Sequence, residues 1–141
     1  MSDDQKYDFF VSGRWRNRDN VLDLTHKIRE KGFKVYCFLE ADHSAARLHN
    51  DPEEDMKKFE ARDWRNDSYV KEVFHNDMEG QRKSDVFVML LPAGKSCHIE
   101  AGAAYGMGKK CVLIGEQKEA ESLYLIFDEM YPDVESFLEK I

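Results

Sequence analysis

The feature that most constrains this chain is a set of five short apolar, β-prone runs, at residues 7–11, 33–39, 85–91, 110–114 and 123–127. They are nearly continuous rather than alternating, the pattern of strands covered on both faces of a parallel sheet. Helical stretches separate them. Residues 20–31 carry Val21, Leu24, Thr25 and Ile28 as an i, i+3, i+4, i+7 stripe. Asp19 or Asn20 is placed to cap that helix, and Gly32 to stop it. Residues 98–108 put Ile99, Ala103 and Met107 on one face, and the small residues Ala101, Gly102, Ala103 and Ala104 let this helix lie close to the sheet. A weaker helix, 134–140, follows Pro132.

Strands alternating with helices predict an α/β fold. The expected architecture is doubly wound, flavodoxin-like or Rossmann-like: a five-stranded parallel sheet with helices on both faces and right-handed crossovers. The interval 41–81 is long for one crossover and highly charged. It reads as a loop, a helix over 53–64 and a second helix from Asp67. His75-Asn76-Asp77 is expected to break that second helix, with Asp77 opening a short last one. Residues 1–141 are expected to form a single domain, with a charged helical insertion at about 41–66.

Composition narrows the function. The 141 residues are 42% hydrophobic and 12% aromatic, enough for a packed core despite 35% charged residues. A net charge of −7 argues against nucleic acid as a partner, which needs clustered Lys and Arg; the one dense cluster is Arg14, Arg16 and Arg18. No apolar run approaches the ~18–20 residues that span a membrane, and the start has no basic and apolar leader, so a cytoplasmic location is expected. Cys37, Cys97 and Cys111 form no paired spacing, so neither a disulfide framework nor a zinc site is expected. Five histidines show no ligand spacing, and there is no GxGxxG or Walker loop; no metal or cofactor is expected.

Open α/β sheets bind ligands at the carboxyl ends of their strands. Residues 12–17, 40–43, 92–100 and 115–116 occupy that edge here. In 92–102 a Gly-containing loop leads from a buried strand into a helix start, where backbone N–H groups attract anions and Lys95 and Ser96 can assist. Glu100 falls in the first turn or two of that helix. It is either a carboxylate favoured by the helix dipole or a nucleophile toward an electrophilic carbon. Asp77 is in register with Val70, Val73 and Phe74, so it is either a helix cap or an inward-facing functional acid. Asp85 heads a strand at the opposite edge and reads as structural. In 14–18, Trp15 flanked by arginines suits a base plus a phosphate or carboxylate, or is a solvated loop with the indole packed on a neighbour. His43 and His98 lie near the same edge as possible proton donors.

Three ordered segments carry a family resemblance. The first is Phe9-Phe10-Val11-Ser12-Gly13-Arg14-Trp15. The second is Asn76-Asp77-Met78 followed by Ser84-Asp85-Val86-Phe87-Val88. The third runs from Gly94 to Gly102 and on through Gly106-Met107-Gly108-Lys109-Lys110-Cys111-Val112-Leu113. Together, with 23 residues from Asp77 to Glu100, they resemble the nucleoside 2-deoxyribosyltransferases and the related nucleoside 5′-monophosphate N-glycosidases. The resemblance spans most of the chain except about 41–64.

The resemblance implies a small-molecule nucleoside or nucleotide substrate. Glu100 would attack the anomeric carbon to give a glycosyl-enzyme. Asp77 would contact base or sugar and manage the leaving-group proton. Water or a second base would then take the sugar, as in retaining glycoside chemistry. Ser12, Gly13, Arg14, Trp15 and Asn17 would line the nucleotide pocket; Gly94, Lys95 and Ser96 would hold a phosphate, with His98 beside them. It also implies a homodimer or larger homo-oligomer; Met130 and Tyr131, hard to place in one core, are expected at an interface or pocket.

Two departures from the family pattern stand out. Phe9 occupies the expected place of a first-strand tyrosine that orients the nucleophile, and Gly94 replaces an acid six residues before it. The other readings are a catalytically silent nucleotide-binding or interaction module, and a distantly related TIR-like NAD-cleaving enzyme.

Overall fold

The computed structural model describes residues 6–45 and 47–141. Its sheet contains β1 (Tyr7–Ser12), β2 (Val35–Cys37), β3 (Ser84–Leu90), β4 (Lys110–Ile114) and β5 (Glu129–Tyr131), in the order β2-β1-β3-β4-β5. Every neighbouring pair is parallel. The helices are α1 (Arg18–Glu30), α2 (Asp42–Ala45), α3 (Pro52–Glu60), α4 (Ser68–Arg82), α5 (Lys95–Gly106) and α6 (Val134–Leu138). This is the expected parallel α/β architecture, and the strand order reverses between β1 and β3.

Alternation along the strands builds two cores. Phe9, Val11, Val88, Leu90, Val112 and Ile114 pack with Val21, Leu24 and Ile28 of α1 and Phe137 of α6. On the other face Phe10, Phe87, Met89, Cys111 and Leu113 meet Cys97, Ala101 and Ala104 of α5. The small residues of α5 bring it close to the sheet. Both faces being covered, the strands carry continuous apolar runs.

Four local expectations need correction. α1 starts at Arg18, earlier than expected, because a 3-10 helix, Trp15–Asn17, runs straight into it; no side chain caps it. Gly32 does end it, with φ +96°. The second strand is shorter than residues 33–39. After Cys37 the chain turns into a 3-10 helix, Phe38–Glu40, and the Arg29 guanidinium holds Glu40 in place at 2.6 Å.

Residues 123–127 are not a strand. Ser122–Ile126 form a 3-10 helix that Glu121 caps through the Leu123 N–H. Strand entry waits for Asp128, whose carboxylate accepts from the Cys111 N–H at 2.9 Å and whose own N–H donates to the Cys111 carbonyl. The fifth strand is Glu129–Tyr131.

α4 is unbroken through His75-Asn76-Asp77, so Asp77 is not a cap. The cap is Asp67, accepting from the Val70 N–H at 3.1 Å. Asn and Asp break helices when their side chains compete for the local backbone. Here they are engaged elsewhere: Asn76 with the His43 ring at 3.1 Å, and Asp77 with Tyr36.

Candidate active site

The reversal of strand order between β1 and β3 leaves a crevice at their carboxyl ends. β1 delivers Ser12 to it. Gly13 turns the chain away over α1, so close that a Cβ there would lie 2.3 Å from Val21 Cγ2. β3 leads through Gly94 into α5, whose second turn carries Glu100, and α4 lays Asp77 along the same opening. A cavity of about 290 Å³ fills the space, with both carboxylates in its lining.

Each carboxylate has its own hydroxyl donor. Ser12 Oγ donates to Glu100 Oε1 at 2.9 Å, and Tyr36 Oη donates to Asp77 Oδ1 at 3.1 Å. One turn past Asp77, Gln81 Nε2 donates to the Glu100 carbonyl at 2.8 Å, which ties α4 to α5. Burial pushes Glu100 up to about 8; the Asp77 charge adds to that and the Ser12 hydrogen bond opposes it. Burial also pushes Asp77 up to about 6, against the Tyr36 hydrogen bond. Two acids raised together in one cleft titrate as a coupled pair, and such pairs make this cleft the candidate site.

The charges around them divide into two sets. Arg14 and Lys95 line the cavity, and among the described residues neither side chain has a hydrogen bond or ion pair. They stand with the first N–H groups of α5, which carry no intrahelical partner. Arg16, also on the cavity wall, and Arg18 serve the 41–66 segment. Arg16 pairs with Glu53 at 2.6 Å and lies 3.7 Å from Glu60, while Arg18 donates to the Asn50 carbonyl.

That segment roofs the cavity through Arg47, Met56 and Phe59. The Arg47 guanidinium lies 4.3 Å from the Trp15 ring centroid, donates to Tyr69 Oη at 2.7 Å and pairs with buried Asp55 at 3.1 Å.

Of the residues singled out in the sequence, Gly13, Arg14, Trp15, Arg16, His43, Asp77, Gly94, Lys95, Ser96 and Glu100 line the cavity, and Ser12 reaches it through Glu100. Two are placed elsewhere. Asn17 turns to Asn20 at the start of α1. The His98 ring is held by the Gly94 carbonyl and Tyr124 Oη, away from the cavity. Tyr131 packs on Phe137 and Met130 lies exposed on β5; neither lines the cavity. Phe9 faces the α1 side of the sheet, so it is not beside Glu100; Ser12, on the α5 side, supplies the hydroxyl there. Sequence reading misses Tyr36, Arg47, Met56, Phe59 and Gln81. The one signal for any of them is the polar tip of Tyr36 inside an apolar run.

No protein-family model matches this sequence, and no curated protein matches it. Solved structures match its fold. A 2-deoxyribosyltransferase from the psychrotolerant bacterium Bacillus psychrosaccharolyticus superposes with a TM-score of 0.63 over 92% of this chain and 89% of its own, at 15% identity. The CMP N-glycosidase BcmB of Clostridium botulinum gives 0.50 over 94% and 96%, at 19% identity. At such identities the likeness establishes the shared α/β fold.

Proposed function

We propose that this protein is an enzyme that breaks the N-glycosidic bond of a nucleoside 5′-monophosphate or nucleoside, with Glu100 as nucleophile and Asp77 managing the proton of the leaving base. The observation that carries this reading is the pair of raised carboxylates at the β1/β3 switch point, each held by a dedicated hydroxyl. The fold shared with a 2-deoxyribosyltransferase and a CMP N-glycosidase supports it.

With Glu100 at about 8 and Asp77 at about 6, the resting pair near neutral pH holds its one proton on Glu100; the productive state is the tautomer in which that proton has passed to Asp77 and Glu100 is ionised. A Glu100 oxygen bonds to the anomeric carbon as the carbon–nitrogen bond breaks. The bonding electrons leave with the base, which takes the Asp77 proton. Water or a second base then attacks the glycosyl-enzyme and returns Glu100, its own proton going to Asp77. Raised acids suit this cycle, because a proton can reside on the pair near neutral pH.

Arg14, Lys95 and the α5 N-terminus supply positive potential for a phosphate. Trp15, Met56 and Phe59 offer apolar surface to a base. The chain is read as one deoxyribosyltransferase-like domain whose 41–66 segment closes the site. Exposed Ile99, Tyr105, Leu123 and Leu125 on α5 and the following 3-10 helix support pairing of copies. A light-scattering mass near 16.5 kDa at micromolar concentration would remove that pairing.

The test is incubation with a panel of nucleosides, their 5′-monophosphates and NAD, with free base read by chromatography. Base release from monophosphates above nucleosides is expected. Release from NAD alone would favour the NAD-cleaving alternative, and binding without release would favour the silent module.

A further inference from the structure

We propose that Tyr36 is the positioning residue for Asp77, set by a slot that β1 and α4 build around its ring, so that one carboxylate oxygen is committed and the other is left to the substrate. This rests on the reading of Asp77 as the proton-handling acid.

The slot is formed from both sides. The Tyr36 ring stacks on Phe10, its register partner on β1, with centroids 5.3 Å apart and planes 14° from parallel. The edge of Tyr7 meets it at 5.6 Å. On the other side lies Gly80 of α4, where a Cβ would stand 2.8 Å from three ring carbons. No real Cβ sits that close, so the absent side chain lets α4 lie flush on the ring. Gly80 is three residues past Asp77, on the same side of the helix. One tyrosine therefore contacts α4 twice: its ring under Gly80 and its hydroxyl on Asp77 Oδ1 at 3.1 Å.

Burial and the Asp77 charge hold the Tyr36 phenol protonated, so it remains a donor. The titratable groups around this pair are Glu100 from α5 and Tyr7 from β1, with Arg14, Arg16, His43, Arg47, Glu60, Lys95 and Cys97 elsewhere on the cavity wall.

The experiment is Tyr36→Phe in the full chain. kcat and KM are measured across pH on whichever substrate the panel identifies, and Asp77 is titrated by carboxyl 13C NMR, assigned with Asp77→Asn. The expected result is a kcat lower by roughly 10–100-fold, the cost of a misplaced catalytic group, with KM little changed. The donor lost in this variant stabilises ionised Asp77. The acid limb and the Asp77 titration therefore move to higher pH, while the alkaline limb, dominated by Glu100, stays. Gly80→Ala, which forces the ring off α4, should reproduce the shift. An unmoved acid limb and titration in folded Tyr36→Phe would overturn the proposal. A wild type that releases no base from any substrate would instead overturn the reading of the site, and the NMR titration alone would still decide whether Tyr36 sets Asp77.

Discussion

The sheet and the 41–66 segment are built by different physics. The sheet is apolar, continuous and packed on both faces, and it presents Glu100, Ser12 and Tyr36 from strands and a helix docked on it. The segment contributes little to the two cores and is attached by charge: Arg16 to Glu53, Arg47 to Asp55, and Arg18 to a backbone carbonyl. Packed burial places the two carboxylates of the proposed chemistry, and polar contacts place the roof of the cavity above them. Chemistry should therefore fail abruptly when the sheet-borne residues change, and binding should fail gradually when the roof does.

The largest expected break is at Glu100, the proposed nucleophile. Glu100→Ala should lower base release by about 10⁴-fold or more while circular dichroism stays unchanged, since a covalent route is lost whole. Asp77→Asn keeps that route and removes acid–base help, worth roughly 10²–10⁴; it should be the milder of the two. Activity of Glu100→Ala equal to wild type would dissolve the distinction between the two regions.

Next come the unpaired cations at the sheet edge. Arg14→Ala and Lys95→Ala should each lower kcat/KM for 5′-monophosphates by roughly ten- to hundredfold, the worth of a charged hydrogen bond. The corresponding free nucleosides should be unaffected. Equal loss on both substrate sets would mean that these side chains do not read a phosphate.

What the sequence discloses follows the same division. Phe10, Phe87, Leu113 and Val112 sit in continuous apolar runs, and such runs report burial on both faces, which makes a parallel sheet legible from residue order alone. Glu100 is legible because a Gly-containing loop and a small-residue helix frame it. Register singles out Asp77 but does not separate a cap from an inward-facing acid, because its partner Tyr36 is 41 residues away on another element. Residues 123–127 are apolar enough for a strand, yet Glu121 and Asp128 impose a turn that hydrophobicity does not encode. The roof is hidden for a different reason: Arg47, Met56 and Phe59 lie in a charged stretch, and their common face is set by ion pairs that one sequence does not announce.

The raised acid also predicts a stability effect confined to the sheet-borne site. Glu100 moves from an ordinary 4.5 to about 8 in the folded chain, so the native state holds a proton that the unfolded state releases. Its contribution is fully present below about 4.5 and is lost as pH rises through 8. Glu100→Gln keeps an acceptor for Ser12 and carries no charge. It should be more stable than wild type by up to about 5 kcal/mol at pH 9 and indistinguishable from it at pH 4. Denaturant midpoints at the two pH values measure this, and an equal offset at both would assign the effect to packing instead of charge.

The smallest effect is the most diagnostic of how the roof is held. The Arg16–Glu53 pair is largely exposed, with Glu53 58% accessible, and such pairs contribute about 0.2–1 kcal/mol. Arg16→Gln should then leave kcat unchanged and raise KM by at most about fivefold, since 1 kcal/mol is close to that factor. The measurement needs a free nucleoside, because a phosphate would add its own salt dependence through Arg14 and Lys95. On that substrate the wild-type KM should climb as ionic strength rises from low salt to about 1 M, where screening reaches within about 3 Å. The variant should climb less, having one pair fewer to lose. A wild-type KM indifferent to salt would mean that the roof is held by Arg47, packed between Trp15 and buried Asp55, and that the exposed ion pairs only decorate it.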